Sequence, residues 1–244
     1  MRRIFLFLLL PGIAILCQRC DDESEPCEGY RIISQTNIAD GKEVMFNYNT
    51  DGSLQSVSGP YPAETNFFYT GDGQLARVHK TRSDNSRTVW FFDFDAKGRV
   101  ISKYVKSTDF GDSTVFEYDD NDRMIKVSHY WRKAELVFYI DLEYPDASTV
   151  KNTTYLRGQY TPELNLAFFE IYTIDNHPRP HPYEYYLSQD LLDDTFLLHN
   201  VLSERLIAED GTTVASEITH TYSYNGRGYP SSQDVVLKFV YGCE

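Results

Sequence analysis

Large apolar residues recur two apart along much of this chain, with a polar residue between them and a turn signal directly after. The unit reads Phe46-Asn47-Tyr48-Asn49-Thr50-Asp51-Gly52-Ser53-Leu54, then Phe67-Phe68-Tyr69-Thr70-Gly71-Asp72-Gly73-Gln74-Leu75. It returns as Phe92-Asp93-Phe94-Asp95-Ala96-Lys97-Gly98-Arg99-Val100 and Phe116-Glu117-Tyr118-Asp119-Asp120-Asn121-Asp122-Arg123-Met124. A shorter copy sits at Leu142-Glu143-Tyr144-Pro145-Asp146, and a late one at Tyr222-Ser223-Tyr224-Asn225-Gly226-Arg227-Gly228-Tyr229. The tyrosine positions of the first five copies are 21, 25, 24 and 26 residues apart, the length of one hairpin with its connection. Residues two apart share one face of a strand, so the aromatic pair faces a core and the residue between them faces water. Glycine at 52, 73, 98 and 228 supplies the positive φ of a short hairpin loop, and Asp122 takes that place in the fourth copy. An apolar residue then opens each return strand. Val57, Val78 and Val127 follow three positions later rather than two, which predicts a bulge.

The pattern changes over 155–208, expected to be an irregular insertion. Asn176-His177-Pro178-Arg179-Pro180-His181-Pro182 is too rich in proline for a helix or a central strand. Leucines between Tyr185 and Leu206 predict a short helix capped by Ser188, which would plug or cap the curved sheet. The fold class expected is therefore all-β: a curved antiparallel meander of tandem hairpins, open or closed into a barrel, with one irregular, short-helix insertion. Tyrosine (19 residues) and phenylalanine (15) fit a pleated, half-buried surface and support that class.

Ahead of the repeats, Arg2 and Arg3 precede an apolar run from Ile4 to Leu16, too short to span a bilayer and suited to a secretory signal. Cys17 ends the run, and Cys20-Asp21-Asp22-Glu23-Ser24-Glu25-Pro26 follows. This resembles bacterial lipoprotein precursors, in which a cysteine at that boundary is acylated, and Gln18 with the acidic run resembles the surface-export signal of Bacteroidota lipoproteins. Leu16 is bulkier than the small residue such motifs carry. Cys20 is the rival, with Arg19 before it. The expected organisation is a signal peptide over 1–16, an acidic tether over 17–28, and one β-repeat domain over 29–244. In an exported protein Cys27 and Cys243 are placed to join the two ends of that domain by a disulfide, with Cys20 as a competitor.

The aromatic-Asp-x-x-Gly-Arg-apolar pattern at Phe94–Val100 resembles the tyrosine–aspartate repeats of Rhs-type wall and toxin proteins. Together with the leader, it resembles more closely a Bacteroidota family of exported proteins of unknown function with a porin-like β fold. That resemblance implies a meander of antiparallel strands and an outer-membrane lipid anchor, surface-exposed or periplasmic. It carries no catalytic residue.

A formal net charge of −13 repels phosphate backbones, so nucleic acid is not an expected partner. His177 and His181 lie four apart, but the prolines between and around them forbid the helix that would align them on a metal. Asp93 and Asp95 read as turn formers, because Lys97 stands where a third calcium ligand belongs; Asp119–Asp122 sits at a turn likewise. Neither a metal nor another cofactor is expected. A Gly-x-Ser-x-Gly elbow is missing, and the cysteines lie only near the two ends, so no catalytic residue is named. Of the aromatics outside the repeat, Tyr183, Tyr185 and Tyr186 are the candidate ligand contacts, because they fall in the insertion. Trp90, Trp131 and Tyr130 are better explained by packing. The expectation is a cell-envelope lipoprotein whose β domain binds a glycan or an envelope protein. The alternatives are a structural module without a small ligand, and a hydrolase with its site in the insertion.

Overall fold

The computed structural model describes residues 30–60, 64–105, 111–132, 135–158, 163–189, 197, 199–208 and 210–242. The signal peptide, the tether and all four cysteines lie outside these residues. Strands β1 (Arg31–Asn37), β2 (Glu43–Tyr48), β3 (Leu54–Ser58), β4 (Glu64–Tyr69) and β5 (Leu75–Thr81) form the first turns of an antiparallel meander. It continues through β6 (Arg87–Phe94), β7 (Val100–Val105), β8 (Ser113–Tyr118), β9 (Met124–Trp131) and β10 (Glu135–Asp146). The long strands β11 (Thr149–Arg157), β12 (Leu164–Pro178) and β13 (His199–Ile207) follow, then β14 (Val214–Thr219). The short strands β15 (Tyr222–Tyr224) and β16 (Pro230–Gln233) lead to β17 (Leu237–Gly242), which pairs with β1. Backbone ladders thus run from β15 through β16, β17 and β1 to β14. The two ends of the sheet, β14 and β15, share no ladder, so the sheet is not closed. They are separated in the chain only by His220 and Thr221, which tie both sides of the seam: His220 N–H donates to the Leu202 carbonyl, and Thr221 N–H to the Asp234 carboxylate.

Each repeat folds as its sequence predicts. Asn49, Thr70, Asp95, Asp119 and Asn225 open three-residue loops, accepting from the N–H of residues 52, 73, 98, 122 and 228 in turn. Those five residues have φ between 63° and 87°. After each of the first four loops the ladder slips by one residue: Tyr48 pairs with Leu54 but Asn47 with Ser56, and Tyr118 pairs with Met124 but Glu117 with Lys126. The bulge turns both the first and the fourth residue of the return strand inward, so Leu54 and Val57, and Met124 and Val127, are all buried. Asn47, Asp93, Glu117, Glu143 and Ser223, between the paired apolar residues, are exposed. The residues between the paired apolar ones face outward beside exposed Met45, Ile101, Val115 and Ile125, so the outer face is mixed while the inner face is apolar.

The irregular insertion is shorter than 155–208. Strands β11, β12 and β13 take half of that span, with β12 starting on the alternating Leu164, Leu166 and Phe168 and continuing through register shifts to Pro178. Proline ends the strand, having no N–H to give. The helix, α1 (Tyr183–Leu187), also lies earlier than the leucines suggest. Ser188 closes it instead of opening it: its N–H donates to the Glu184 and Tyr185 carbonyls, and its hydroxyl to the Tyr185 carbonyl at 2.6 Å.

Candidate functional site

The repeat tyrosines build the inner wall. Each sends its hydroxyl to a backbone carbonyl of the preceding hairpin: Tyr48 to Ile32, Tyr69 to Leu54, Tyr118 to Val100 and Tyr144 to Met124, all at 2.8 to 2.9 Å. These bonds cross between neighbouring hairpins where the bulge has slipped the ladder. Phe94 occupies the same place in the third copy without a hydroxyl. The arginine after the turn completes the unit. Arg99 lies over the Tyr118 ring at 4.6 Å, and Arg123 over Tyr144 at 4.7 Å. Their charges are met locally, since Arg99 pairs with Asp95 and Asp122 and Arg123 with Asp119. Asp95 and Asp119 also accept two backbone N–H groups each, which holds their carboxyls below the ordinary aspartate range. The Asp-x-x-Gly-Arg signature is thus a turn lock joined to an aromatic stack.

The segment 179–189 enters the concave side and touches opposite walls. His181 packs against Phe46 of β2 and Phe239 of β17, and bonds Gln35 at 2.6 Å and the Tyr186 hydroxyl at 3.0 Å. Tyr185 rests on Phe46. On the far wall Lys103, only 1% exposed, donates to the Gln189 carbonyl at 2.5 Å and lies 4.3 Å over the Trp90 ring. The segment 179–189 thus plugs the sheet, though with its helix ahead of the leucines on which that expectation rested.

The three candidate tyrosines therefore do not form one exposed platform. Tyr185 and Tyr186 are half-buried within the plug, with Arg179 stacked 3.8 Å over Tyr186. Tyr183 turns the other way and lines a cavity of about 580 Å³ between α1 and the sheet. Its hydroxyl faces that of Tyr118, and burial pushes its pKa up. Trp90 is in the core, and Trp131 is half exposed on β9. His177 stacks on Tyr224 while His181 points into the plug, so the two do not converge.

The cavity opens at the end of the sheet where the repeat turns cluster, with Gly73, Gly98 and Ala147 at its mouth. One wall is the aromatic row Tyr69, Phe94, Tyr118 and Tyr144. The floor is aliphatic: Val150 and Ile174 from the sheet, Leu187 from α1 and Leu197 beyond it. Such a mainly apolar hollow with a few polar groups is the usual form of a small-molecule site. Those polar groups include His199, whose Nδ1 lies 3.2 Å from the His177 carbonyl, and Glu184 of α1. The aromatic row was visible in the repeat. The contribution of Glu184, Leu187 and Leu197 was not, because nothing in the local pattern says which way the plug turns.

No protein-family model and no curated protein matches the sequence. Solved structures share the fold. A porin-like protein from Bacteroides uniformis superposes with a TM-score of 0.59 over 89% of this chain and 98% of its own, at 11% identity. A porin-like protein from Bacteroides vulgatus gives 0.54 over 87% and 99%, also at 11% identity. At that identity the likeness shows the fold, a nearly all-β meander.

Proposed function

We propose that this chain is an exported, lipid-anchored protein of the cell envelope that binds a ligand and performs no chemistry on it. The observation that carries this reading is the plugged concave sheet, which leaves an apolar, aromatic-walled cavity of about 580 Å³ opening at the turn rim. The porin-like solved structures and the lipoprotein-like leader support the envelope as its place. Arg31 and Gly242 are register partners, and the Arg31 guanidinium lies against Gly52 of the first repeat turn, so both described ends of the domain lie together near that turn. A tether of residues 17–28 reaches at most roughly 40 Å. An anchor at Cys17 would therefore hold the first repeat turn near the membrane surface. A sugar platform at Tyr183, Tyr185 and Tyr186 is the weaker form of this reading, since those rings are engaged in the plug.

The test is titration of the purified protein with the neutral fluorophore N-phenyl-1-naphthylamine. Saturable one-site binding, weakened at least tenfold by Ala147→Trp at the mouth, is the expected result. Absence of saturable binding would overturn the reading.

A second reading, docking of an envelope protein, rests on β14. All six of its residues are exposed, and it carries Val214 and Ile218 on an edge that has, among the described residues, no ladder partner on one side.

A further inference from the structure

Charge bookkeeping around the cavity singles out one group. Arg99 and Arg123 at the mouth are neutralised by their own turn aspartates. Asp122 is taken up by Lys97 and Arg99, and Asp146 accepts the N–H and hydroxyl of Ser148 at 2.8 and 2.9 Å. Glu184 differs. It is half-buried on α1, and among the described residues its carboxylate has no hydrogen-bond or ion-pair partner. It lines the cavity together with Tyr69 and Tyr183, and it also borders the adjoining hollow lined by Arg31 and Arg179. A half-buried carboxylate without a partner is stabilised by a cation that reaches it, and aromatic rings add a face that attracts the same charge. An anion placed there would meet repulsion from Glu184 and from the protein's net charge of −13.

We propose that the cavity binds an amphiphilic cation: an apolar body seated on Val150, Ile174, Leu187 and Leu197, with an ammonium-type group held by Glu184 in the lining it shares with Tyr69 and Tyr183. This rests on the binding reading above and adds the ligand's charge to it. Recognition needs no proton or electron transfer, only exchange of part of the cation's hydration for one carboxylate and the cavity's aromatic lining.

The experiment is displacement of N-phenyl-1-naphthylamine by three probes of equal chain length, dodecylamine, dodecyltrimethylammonium and dodecanoate, each below its micelle concentration. Wild-type protein and Glu184→Gln are compared, with a urea melt to show that both are folded. The expected result is that the two cations displace the fluorophore at least tenfold more effectively than dodecanoate, and that Glu184→Gln removes most of that preference without abolishing fluorophore binding. Equal displacement by all three, or a preference unchanged in Glu184→Gln, overturns the cation assignment while the binding reading stands. Failure of the fluorophore to bind wild-type protein overturns both.

Discussion

The Tyr118 hydroxyl donates to the Val100 carbonyl at 2.8 Å, joining the end of β8 to the start of β7, two strands that pair only farther along. The bond lies beside the bulge, where Val100 pairs with Phe94 and the ladder has just slipped. It is a side-chain bond that ties successive hairpins together at the turn rim, and it repeats at Tyr48, Tyr69 and Tyr144. The cavity's aromatic wall is held in place by it.

Removing that hydroxyl has a definite cost. Tyr118→Phe keeps the ring, its place under Arg99 and its packing, but leaves the Val100 carbonyl without this donor. A net hydrogen bond of this kind contributes about 1 kcal/mol. Urea denaturation is expected to show that loss with an unchanged m-value. A variant as stable as wild type would mean the tyrosine row adds only its rings.

Gly73 isolates the backbone requirement of the turn. Its φ is +84°, and a Cβ there would meet nothing within 4 Å. Gly73→Ala is therefore expected to destabilise by about 1–2 kcal/mol through conformation alone, and Gly73→Asn by less. If Asn proves no better tolerated than Ala, the cost does not come from the left-handed backbone.

His181 makes stability depend on pH. In its neutral form Nε2–H donates to Gln35 and Nδ1 accepts from Tyr186, so both nitrogens are satisfied. Burial, with Arg179 nearby, depresses its pKa from 6.5 to about 3. The unfolded chain binds this proton at the higher pH. The contribution of neutral His181 is thus fully present above pH 6.5 and is lost progressively as the pH falls toward about 3. Melting temperatures between pH 7 and pH 5, above the main carboxylate titrations, are expected to fall more steeply in wild type than in His181→Gln. Parallel curves would remove His181 as the cause.

The ends of the domain offer a further test. The pairing of Arg31 with Gly242 brings the chain's two exits side by side, four residues from Cys27 and one from Cys243. In an oxidising compartment a Cys27–Cys243 disulfide is expected, and Cys243→Ser is expected to cost about 4–5 kcal/mol on the chain-entropy account of a long closed loop. Peptide mapping without reduction would detect the link. Recovery of both as free thiols would rule it out.

Local chemistry along the chain was enough to specify the hairpins. Alternation set which face is buried, turn residues set the loop, and the three-residue spacing from Leu54 to Val57 marked the bulge, because each depends only on residues close in sequence. The long strand β12 was harder to read, since its alternation is broken by register shifts and prolines crowd its end and the residues after it.

The sequence by itself therefore determined the all-β class, the inward face of each repeat and the turn locks of Asp95 and Asp119. Only the tertiary structure decided that β17 closes onto β1, that the sheet stops short of closure at His220–Thr221, and that the plug sends Tyr185 into packing and Tyr183 and Glu184 into a cavity. The reason is physical. Alternation and turn propensity act over a few residues. The path of a plug is set by contacts between residues far apart in sequence, such as His181 with Gln35 and Lys103 with Gln189, which exist only once the sheet has curved around it.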